Sequence, residues 1–358
     1  MNKVRRHWRI WLAVPAAAVV TVLGLTIPAQ ARPGPPARPA PIPATIARSL
    51  RSLDEEHAPA GDGRWVVSDP EAFREAVKTG NWVYTPYGLS YKTCVYHAPN
   101  HALIHDSEIL APSGAIQRIT PCAHPTLSYP GSAKPGTLGH RTRVAEGPCY
   151  FNPGGQYWAA SCYGSAPAWV GSMDQEYAVP TDPAKDGALI FLWDGVEDAK
   201  GDTLLQDVLT WGANGSITNP NIWYVTPWYL WGGNSVTGAS FHVQPADTIL
   251  AGLIASDCDS AGACTWVLSP ADKTTGQASS LTVGSDATFD LLIGAAMEIP
   301  RESGCVETPA SGHAAFRDLT VTGDNGKITP DFGTSTPDPQ CNVSMTQSAT
   351  AADILWKP

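Results

Sequence analysis

The sequence predicts an all-β protein, an antiparallel β-sandwich preceded by a smaller N-terminal β-rich region. Short runs of alternating apolar and polar residues recur between turn signals, which is typical of sandwiches and barrels. Turn-forming residues are abundant, with 33 glycines and 32 prolines among 358 residues. Almost no stretch keeps the 3.6-residue period of an amphipathic helix, and no internal repeat is evident. Short strands joined by turns therefore account for most of the chain.

Seven strand candidates follow one another in the C-terminal part of the chain. Each is bounded by glycine, proline, asparagine or aspartate, the residues that favour turns. The segment QPAD inside the fourth candidate predicts a hairpin turn between two alternating runs. The candidates are GALIFLW (187–193), TLLQDVLTWG (203–212), IWYVTPWYLW (222–231), ASFHVQPADTILAGLIAS (239–256), CTWVLS (264–269), ATFDLLIGAAMEI (287–299) and AAFRDLTVT (314–322).

The first 31 residues have the features of a secretory signal peptide. An apolar core (10–28) is followed by the small-residue motif AQA (29–31), and four cations precede it: Lys3, Arg5, Arg6 and Arg9. The alternative is an uncleaved membrane anchor, because the apolar run is nearly long enough to span a bilayer. We expect a secreted, extracellular protein with no stable membrane association after cleavage.

The composition limits the classes of molecule that this protein is expected to bind. Cleavage after residue 31 removes four cations and no acids, so the net charge changes from −10 to −14. This argues against nucleic acid, which is bound by basic patches. The expected partner is a polypeptide substrate, and the protein is expected to be a monomer.

The chain divides into four predicted segments. The signal peptide (1–31) is followed by a Pro/Ala-rich linker or pro-segment (32–64), which should be extended. The N-terminal β-rich region (65–150) is either a removable prodomain or a fixed accessory domain. The remainder (151–358) is the predicted sandwich.

Eight cysteines in an exported chain predict disulfides. Sequence alone leaves the connectivity open, and pairing between neighbours in the chain is favoured. No two cysteines have the two-residue spacing of a zinc ribbon. The favoured pairs are Cys94–Cys122, Cys149–Cys162, Cys258–Cys264 and Cys305–Cys341.

Gln206 is unusual because it lies among leucines and valine in the strand candidate TLLQDVLTWG. A buried amide without hydrogen-bond partners costs roughly 1–3 kcal/mol. Gln206 is therefore either satisfied by its sheet neighbours or faces a groove in which it contacts a ligand.

Glu298 is the second unusual residue. In LLIGAAMEIP (291–300), strict alternation puts Leu292, Gly294 and Ala296 on the face of Glu298. Two small residues leave open space beside a carboxylate, as at the floor of a groove. Apolar surroundings raise the pKa of a carboxyl group, which suits a general acid or base. The alternative is a structural carboxylate that caps the loop before Cys305.

Six motifs, in this order, resemble those of the glutamic peptidases (eqolisins), most closely the secreted bacterial members. The resemblance covers residues 165–345, and each motif alone is weak. The motifs are WDGVE (193–197), LLQ (204–206), WYVTPWYLW (223–231), FHVQPADTI (241–249), AAMEIPRESGC (295–305) and AAFRDLTV (314–321).

The resemblance implies a concanavalin-like jelly roll and acid endopeptidase activity without a cofactor, a metal or a covalent intermediate. Glu298 would be the general base on water and later the acid, and Gln206 would stabilise the oxyanion. Substrate contacts would come from Trp193, Glu197, Trp228 and Tyr229.

The sequence departs from the family at several positions. Leu230 replaces an acidic residue of fungal members, Ala246 replaces the usual glycine, and the spacing from Trp193 to Gln206 is slightly shorter. A non-catalytic sandwich that binds carbohydrate or protein is therefore an alternative function.

Two further sites are alternatives to the Gln206–Glu298 pair. Glu197 and Glu298 could form the carboxylate pair of a jelly-roll glycoside hydrolase, with tryptophans stacking on sugar. His97, His101 and His105 are spaced like metal ligands on a helix, although Pro99 interrupts such a helix.

Overall fold

Nearly all of the regular secondary structure in the described residues is β-strand, which confirms the predicted all-β class. The predicted signal peptide and the Pro/Ala-rich segment lie outside the part of the chain that the structure describes. The computed structural model describes residues 66–67, 70–86, 88–128, 149–151, 158–165, 169–260, 262–301, 307–323, 325–332 and 342–357.

One α-helix, α1 (Pro70–Thr79), lies within the described residues of the N-terminal region, where only strands were expected. Proline is well suited to a first helical position, and Glu71 in the first turn complements the helix dipole. Gly80 ends the helix with a φ of 65°. A 3₁₀ helix follows at Lys92–Cys94. The N-terminal strands are β1 (Val66–Val67), β2 (Trp82–Thr85), β3 (Gly88–Tyr91), β4 (Val95–His97), β5 (Ala102–His105), β6 (Glu108–Leu110), β7 (Ile116–Arg118) and β8 (Thr126–Ser128).

All seven strand candidates of the C-terminal part contain strands. The strands are β9 (Cys149–Phe151), β10 (Trp158–Ser165), β11 (Val170–Ala178), β12 (Leu189–Asp198), β13 (Thr203–Trp211), β14 (Trp223–Trp231), β15 (Asn234–Thr237), β16 (Phe241–Val243), β17 (Thr248–Ser256), β18 (Cys264–Leu268), β19 (Ala271–Asp272), β20 (Leu281–Ser285), β21 (Phe289–Arg301), β22 (His313–Gly323), β23 (Gly326–Ile328), β24 (Asp331–Phe332), β25 (Ser344–Gln347) and β26 (Ala352–Leu355).

The described strands form three sheets. Sheet A has the order β1-β8-β3-β2. Sheet B has the order β24-β10-β21-β12-β13-β14-β15-β4, with β16 beside β14 and β9 beside β10. Sheet C has the order β25-β26-β22-β11-β17-β18-β20-β5-β6-β7, with β19 beside β17 and β23 beside β22.

Sheets B and C pack face to face as a sandwich. Two hydrophobic clusters fill the interior, and each takes side chains from both sheets. Cluster 1 includes Leu192 and Leu209 of sheet B with Phe316 of sheet C. Cluster 2 includes Val196 of sheet B with Trp266 of sheet C. Burial of these side chains supplies the main favourable free energy of folding.

Strands of the N-terminal region extend both large sheets. β4 pairs in parallel with β15 at the edge of sheet B. β5 pairs in parallel with β20, and β6 and β7 continue sheet C beyond it. These strands cover edges that would otherwise expose unpaired backbone groups. That residues 65–150 form a removable prodomain stays a prediction.

The predicted hairpin at QPAD is wrong. β16 pairs with β14 of sheet B, whereas β17 pairs with β11 of sheet C, so this turn carries the chain between the sheets. Ala246 has a φ of 72°, the left-handed region that favours glycine. Its N–H donates a hydrogen bond to the carbonyl of Val179 at 2.9 Å, which holds the turn against the start of the loop that follows β11.

Two disulfides lie in the described residues, Cys94–Cys122 and Cys258–Cys264, both among the favoured pairs. Cys149 and Cys162 are register partners on β9 and β10. The pairing of Cys305 with Cys341 falls on residues outside the described part. Disulfides indicate folding in an oxidising compartment.

Candidate active site

The candidate site lies on the outer face of sheet B, the face turned away from both hydrophobic clusters. Alternation along the strands selects the side chains of this face, and none of those named below is more than 5 % exposed. They are Phe191 and Trp193 of β12, Gln206, Val208 and Thr210 of β13, Tyr224, Thr226 and Trp228 of β14, and Glu298 of β21.

Gln206 lies at the centre of this face, between Gly195 on β12 and Trp228 on β14. Its side chain is fully buried, and neither amide atom has a hydrogen-bond partner among the described residues. Glycine at position 195 leaves room for the Gln206 side chain. A Cβ on Gly195 would collide with the Leu205 carbonyl oxygen and would lie 3.1 Å from the Cβ of Gln206. The described neighbours therefore do not satisfy the amide of Gln206.

Glu298 lies on the same face but not beside Gln206. It is the register partner of Phe191, whereas Gln206 is the partner of Gly195, four residues further along β12. β12 itself runs between the strands of Gln206 and Glu298. With ordinary strand dimensions, the two Cα atoms are about 16 Å apart. At that separation, one water molecule can lie near both side chains only if each extends toward the other along the outer face.

The predicted surroundings of Glu298 are only partly correct. A bulge in β21 interrupts the alternation, because Trp193 is opposite Ala296 and Gly195 is opposite Ile293. Ala296 keeps the face of Glu298. Leu292 turns into hydrophobic cluster 2 instead.

Gly294 does not open space beside Glu298 either. A Cβ on Gly294 would collide with the side chains of Gln347 and Phe332. Its missing side chain therefore makes room for the Gln347 amide at the bulge.

Among the carboxylates of the outer face, Glu197 is the closest to Gln206 by register. It is the partner of Leu204, so it lies one strand across and two residues along from Gln206. Side chains in this diagonal relation have Cβ atoms about 7–8 Å apart. Glu197 is 2 % exposed. The sequence indicated Glu197 as a substrate contact or as one carboxylate of a glycosidase pair.

The predicted aromatic contacts separate onto two faces. Trp228 is the direct register partner of Gln206, and Trp193 lies two residues along β12 from Gly195. Tyr229 has its side chain on the opposite face, in hydrophobic cluster 2. Alternation along β14 requires this, because neighbouring residues of a strand point to opposite faces.

Sheet A is attached at both ends of the β13–β14 pair. The Tyr84 N–H donates to Oδ1 of Asn214 at 3.1 Å, and Nδ2 of Asn214 donates to the Tyr84 carbonyl at 2.8 Å. Asn214 belongs to the connection between β13 and β14. At the other end of β14, a Cβ on Gly233 would lie 3.5 Å from the Cβ of Cys122, in the loop before β8, and 4.0 Å from Oγ1 of Thr126, the first residue of β8 in sheet A. Sheet A therefore follows the two strands that carry Gln206 and Trp228.

The three histidines lie on separate elements. His97 ends β4 and its Nδ1 is 2.7 Å from Oγ1 of Thr237, whereas His101 is in the following turn and His105 ends β5. Within the described ranges, no group of three or more histidine, cysteine or acidic side chains is arranged to hold a metal ion.

A cavity of about 560 Å³ lies at one end of the sandwich, away from Gln206. Trp231 and Tyr229 line it with their rings stacked at 4.4 Å between centroids. Aspartates also line it: Asp106, Asp257, Asp259 and Asp286. Strand alternation indicates that Tyr229 faces inward. The loops that carry the aspartates come together only in the folded chain.

Similarity to known proteins is confined to solved structures, since no protein-family model and no curated protein matches the chain. A scytalidoglutamic peptidase bound to a peptide-based transition-state analogue is 15 % identical, with 55 % of this chain and 97 % of that chain covered and a TM-score of 0.39. The same peptidase with a transition-state analogue inhibitor is 15 % identical, with 55 % and 96 % covered and a TM-score of 0.40.

A third structure is SCP-B, a member of the eqolisin family of peptidases, in complex with the tripeptide Ala-Ile-His. It is 14 % identical, with 55 % of this chain and 97 % of that chain covered and a TM-score of 0.39. Separately, no described helix has the length and apolar character needed to cross a bilayer.

Proposed function

We propose that this protein is a secreted acid endopeptidase that hydrolyses peptide bonds with Gln206 and a glutamate on the outer face of sheet B. The observation that carries the proposal is the fully buried amide of Gln206, which has no partner among the described residues. A buried unpaired amide is costly, and such groups in native proteins call for an explanation. A catalytic glutamine that contacts water and substrate provides one.

The chemistry needs a base, a water molecule and a donor for the oxyanion. A glutamate carboxylate takes a proton from water as the water attacks the peptide carbonyl. The Gln206 N–H donates to the oxygen that becomes negative, a fixed dipole in a dry site. The protonated glutamate then gives its proton to the departing amine. Glu298 is the glutamate that the motif indicates, and Glu197 is the one nearer to Gln206.

Substrate must gain access to this face before the chemistry can occur. The face is buried, and sheet A is attached at both ends of the strands that carry Gln206 and Trp228. We therefore propose that the secreted protein is latent and that acid or cleavage in the N-terminal region exposes Gln206. Mass spectrometry of the active species would give its N-terminus. Full activity with an N-terminus near residue 32 contradicts this part.

The deciding experiment measures casein cleavage from pH 2 to 7 by the secreted protein and three variants. The expected result is acid cleavage by the parent that pepstatin does not inhibit. Gln206→Ala should lower kcat about 100-fold or more, as the loss of an oxyanion donor does. Of Glu298→Gln and Glu197→Gln, the variant that abolishes cleavage identifies the base.

Matched controls come from the β6–β7 hairpin at the edge of sheet C. Gln117→Ala and Glu108→Gln make the same chemical changes on exposed or half-exposed side chains and should leave kcat unchanged. Circular dichroism checks that every variant folds. Cleavage that survives both Glu298→Gln and Glu197→Gln would remove glutamate catalysis from the proposal.

The second candidate function is non-catalytic binding of carbohydrate. The cavity with the stacked Trp231 and Tyr229 favours it, because such cavities combine apolar rings with a few polar groups that orient a ligand. A parent that cleaves nothing at any pH but is retained on immobilised polysaccharide, with retention lost in Trp231→Ala, would support this function instead.

A glycoside hydrolase has less support. Glu197 and Glu298 lie on adjacent strands but are six residues apart along β12 by register. This separation is about 20 Å between Cα atoms at the usual rise per residue. Glycosidase carboxyl pairs are about 5–10 Å apart.

A further inference from the structure

Polar residues divide the interior of the sandwich into its two hydrophobic clusters. On β11, β12 and β13, one inward position is polar, and its inward neighbours on the same strand belong to cluster 1 on one side and cluster 2 on the other. All three polar residues are 0 % exposed. These residues, which we call the polar layer, are Gln175, Asp194 and Asp207.

Asp194 and Asp207 are the central pair of the layer. They are direct register partners on β12 and β13, so their Cβ atoms are about 5 Å apart. The Gly252 N–H of the facing sheet donates to Oδ2 of Asp207 at 3.0 Å. The other Asp207 oxygen and both carboxylate oxygens of Asp194 have no partner among the described residues.

The amides around the pair are not bonded either. Both amide atoms of Gln175 are buried without a partner in the described residues. The same is true of Gln347, which packs against Gly294 at the bulge of β21 opposite Asp194. The polar layer together with Gln347 therefore combines two acids and two neutral amides.

No positive charge faces the pair within the described residues. From β11, the titratable groups are Asp174 and Tyr177, and the Tyr177 hydroxyl donates to the Asp207 carbonyl at 3.4 Å. Facing positions of β21 are apolar, and those of β17 contribute the Gly252 N–H. None of the described ion pairs includes these groups. Two ionised carboxylates here would be buried, adjacent and uncompensated.

We propose that Asp194 and Asp207 share at least one proton in the folded protein, so that the sandwich is most stable in acid and weakens as the pH approaches neutrality. A neutral carboxyl donates a hydrogen bond to its partner and removes the like-charge repulsion. This pH dependence of stability does not rest on the proposed peptidase activity, because it is measured by unfolding and not by cleavage.

The direction of the pH dependence follows from linkage. Burial raises the pKa of Asp194 well above its ordinary value, and burial followed by the charge of Asp194 does the same for the pKa of Asp207. The folded state therefore binds more protons than the unfolded state. The contribution is fully present below the unfolded pKa of about 4 and is lost as the pH rises through the folded values.

The test is urea unfolding of the full secreted chain at pH 3 to 7, compared with Asp194→Asn/Asp207→Asn. The double variant keeps the shape of two neutral acids but cannot ionise. Relative to it, the parent's unfolding constant should rise about tenfold per pH unit above pH 5 for each retained proton. Parallel pH profiles for the two proteins would overturn the proposal.

A matched control and a second readout keep the test decisive if the double variant folds poorly. Asp182→Asn/Asp186→Asn removes two exposed charges and should leave the parent's slope unchanged.

Infrared spectroscopy of the folded parent at pH 6 should show the C=O stretch of a neutral carboxylic acid, weakened in either single variant. The absence of this band in the parent would contradict the proposal. Recovery of stability at pH 7 on adding calcium or sodium would also contradict it, because the pair would then hold a cation.

Discussion

Gly195 determines how closely β12 and β13 approach at the residue that the proposed chemistry needs. Its register partner is Gln206, and a Cβ at position 195 would collide with the Leu205 carbonyl oxygen. The obstacle is backbone, so rotation of a side chain cannot relieve it. Glycine at this position therefore fixes the place of the Gln206 side chain on the outer face.

Gly195→Ala should lower the free energy of unfolding by about 1–3 kcal/mol, the usual cost of forcing an extra group into a packed site. It should also lower kcat of any peptidase activity, because β13 must move at Gln206. Urea unfolding and casein cleavage would measure the two effects. The control is Gly171→Ala, where the nearest atom would be a Trp169 ring carbon at 3.3 Å. Equal stability of the two variants would contradict the prediction.

At the scale of elements, the Asn214 side chain links sheet A to the β13–β14 connection. Asn214 receives a hydrogen bond from the backbone of Tyr84 and donates one to it, as a neighbouring strand would. Val83 of the same strand packs next to Gly215. The position of sheet A along the candidate site therefore rests on local contacts of β2.

Asn214→Ala should weaken this attachment by about 1–2 kcal/mol, because two hydrogen bonds to backbone are lost. We expect faster amide hydrogen exchange in β2 and β3, with β17 and β18 unchanged, since opening would be local. Asn219→Ala is the matched control in the same connection, because Asn219 bonds only to the nearby Asn221 N–H among the described contacts. Unchanged exchange in β2 would show that other contacts hold sheet A.

For the whole molecule, stability reflects proton-linked groups that act in opposite directions. Asp194 and Asp207 favour the folded state in acid. Asp353 acts in the other direction: burial raises its pKa, but hydrogen bonds from Arg317 and His313 together lower that pKa below its ordinary value. Oδ1 of Asp353 lies 2.6 Å from Nη2 of Arg317 and 2.6 Å from Nε2 of His313.

Asp353→Asn should destabilise the protein at pH 6 and have little effect at pH 2. The lowered pKa means that the contribution of Asp353 is present above the unfolded value of about 4 and is lost as the pH falls through the folded value. Thermal unfolding at the two pH values measures this difference. Asp186→Asn is the exposed control. A larger loss at pH 2 than at pH 6 would contradict the assigned sign.

Alternation and turn residues were sufficient to predict the strands but not their partners. The stretches around Gln206 and Glu298 are strands, and both side chains lie on the outer face. The bulge at Gly294 could not be predicted, because it depends on the Gln347 side chain, which comes from another sheet. QPAD was misassigned for the same reason, since a turn sequence does not specify which sheet the next strand joins.

The sequence by itself determined the all-β class, the strand positions and the unusual placement of Gln206, because these follow from local preferences and the two-residue period of a strand. Only the tertiary structure decided that Glu197 is nearer than Glu298 to Gln206 and that Asp194 faces Asp207 inside the sandwich. It also decided that sheet A follows the candidate site. These relations depend on register and on contacts between segments that are distant in the chain, which pairing and packing of the whole molecule select.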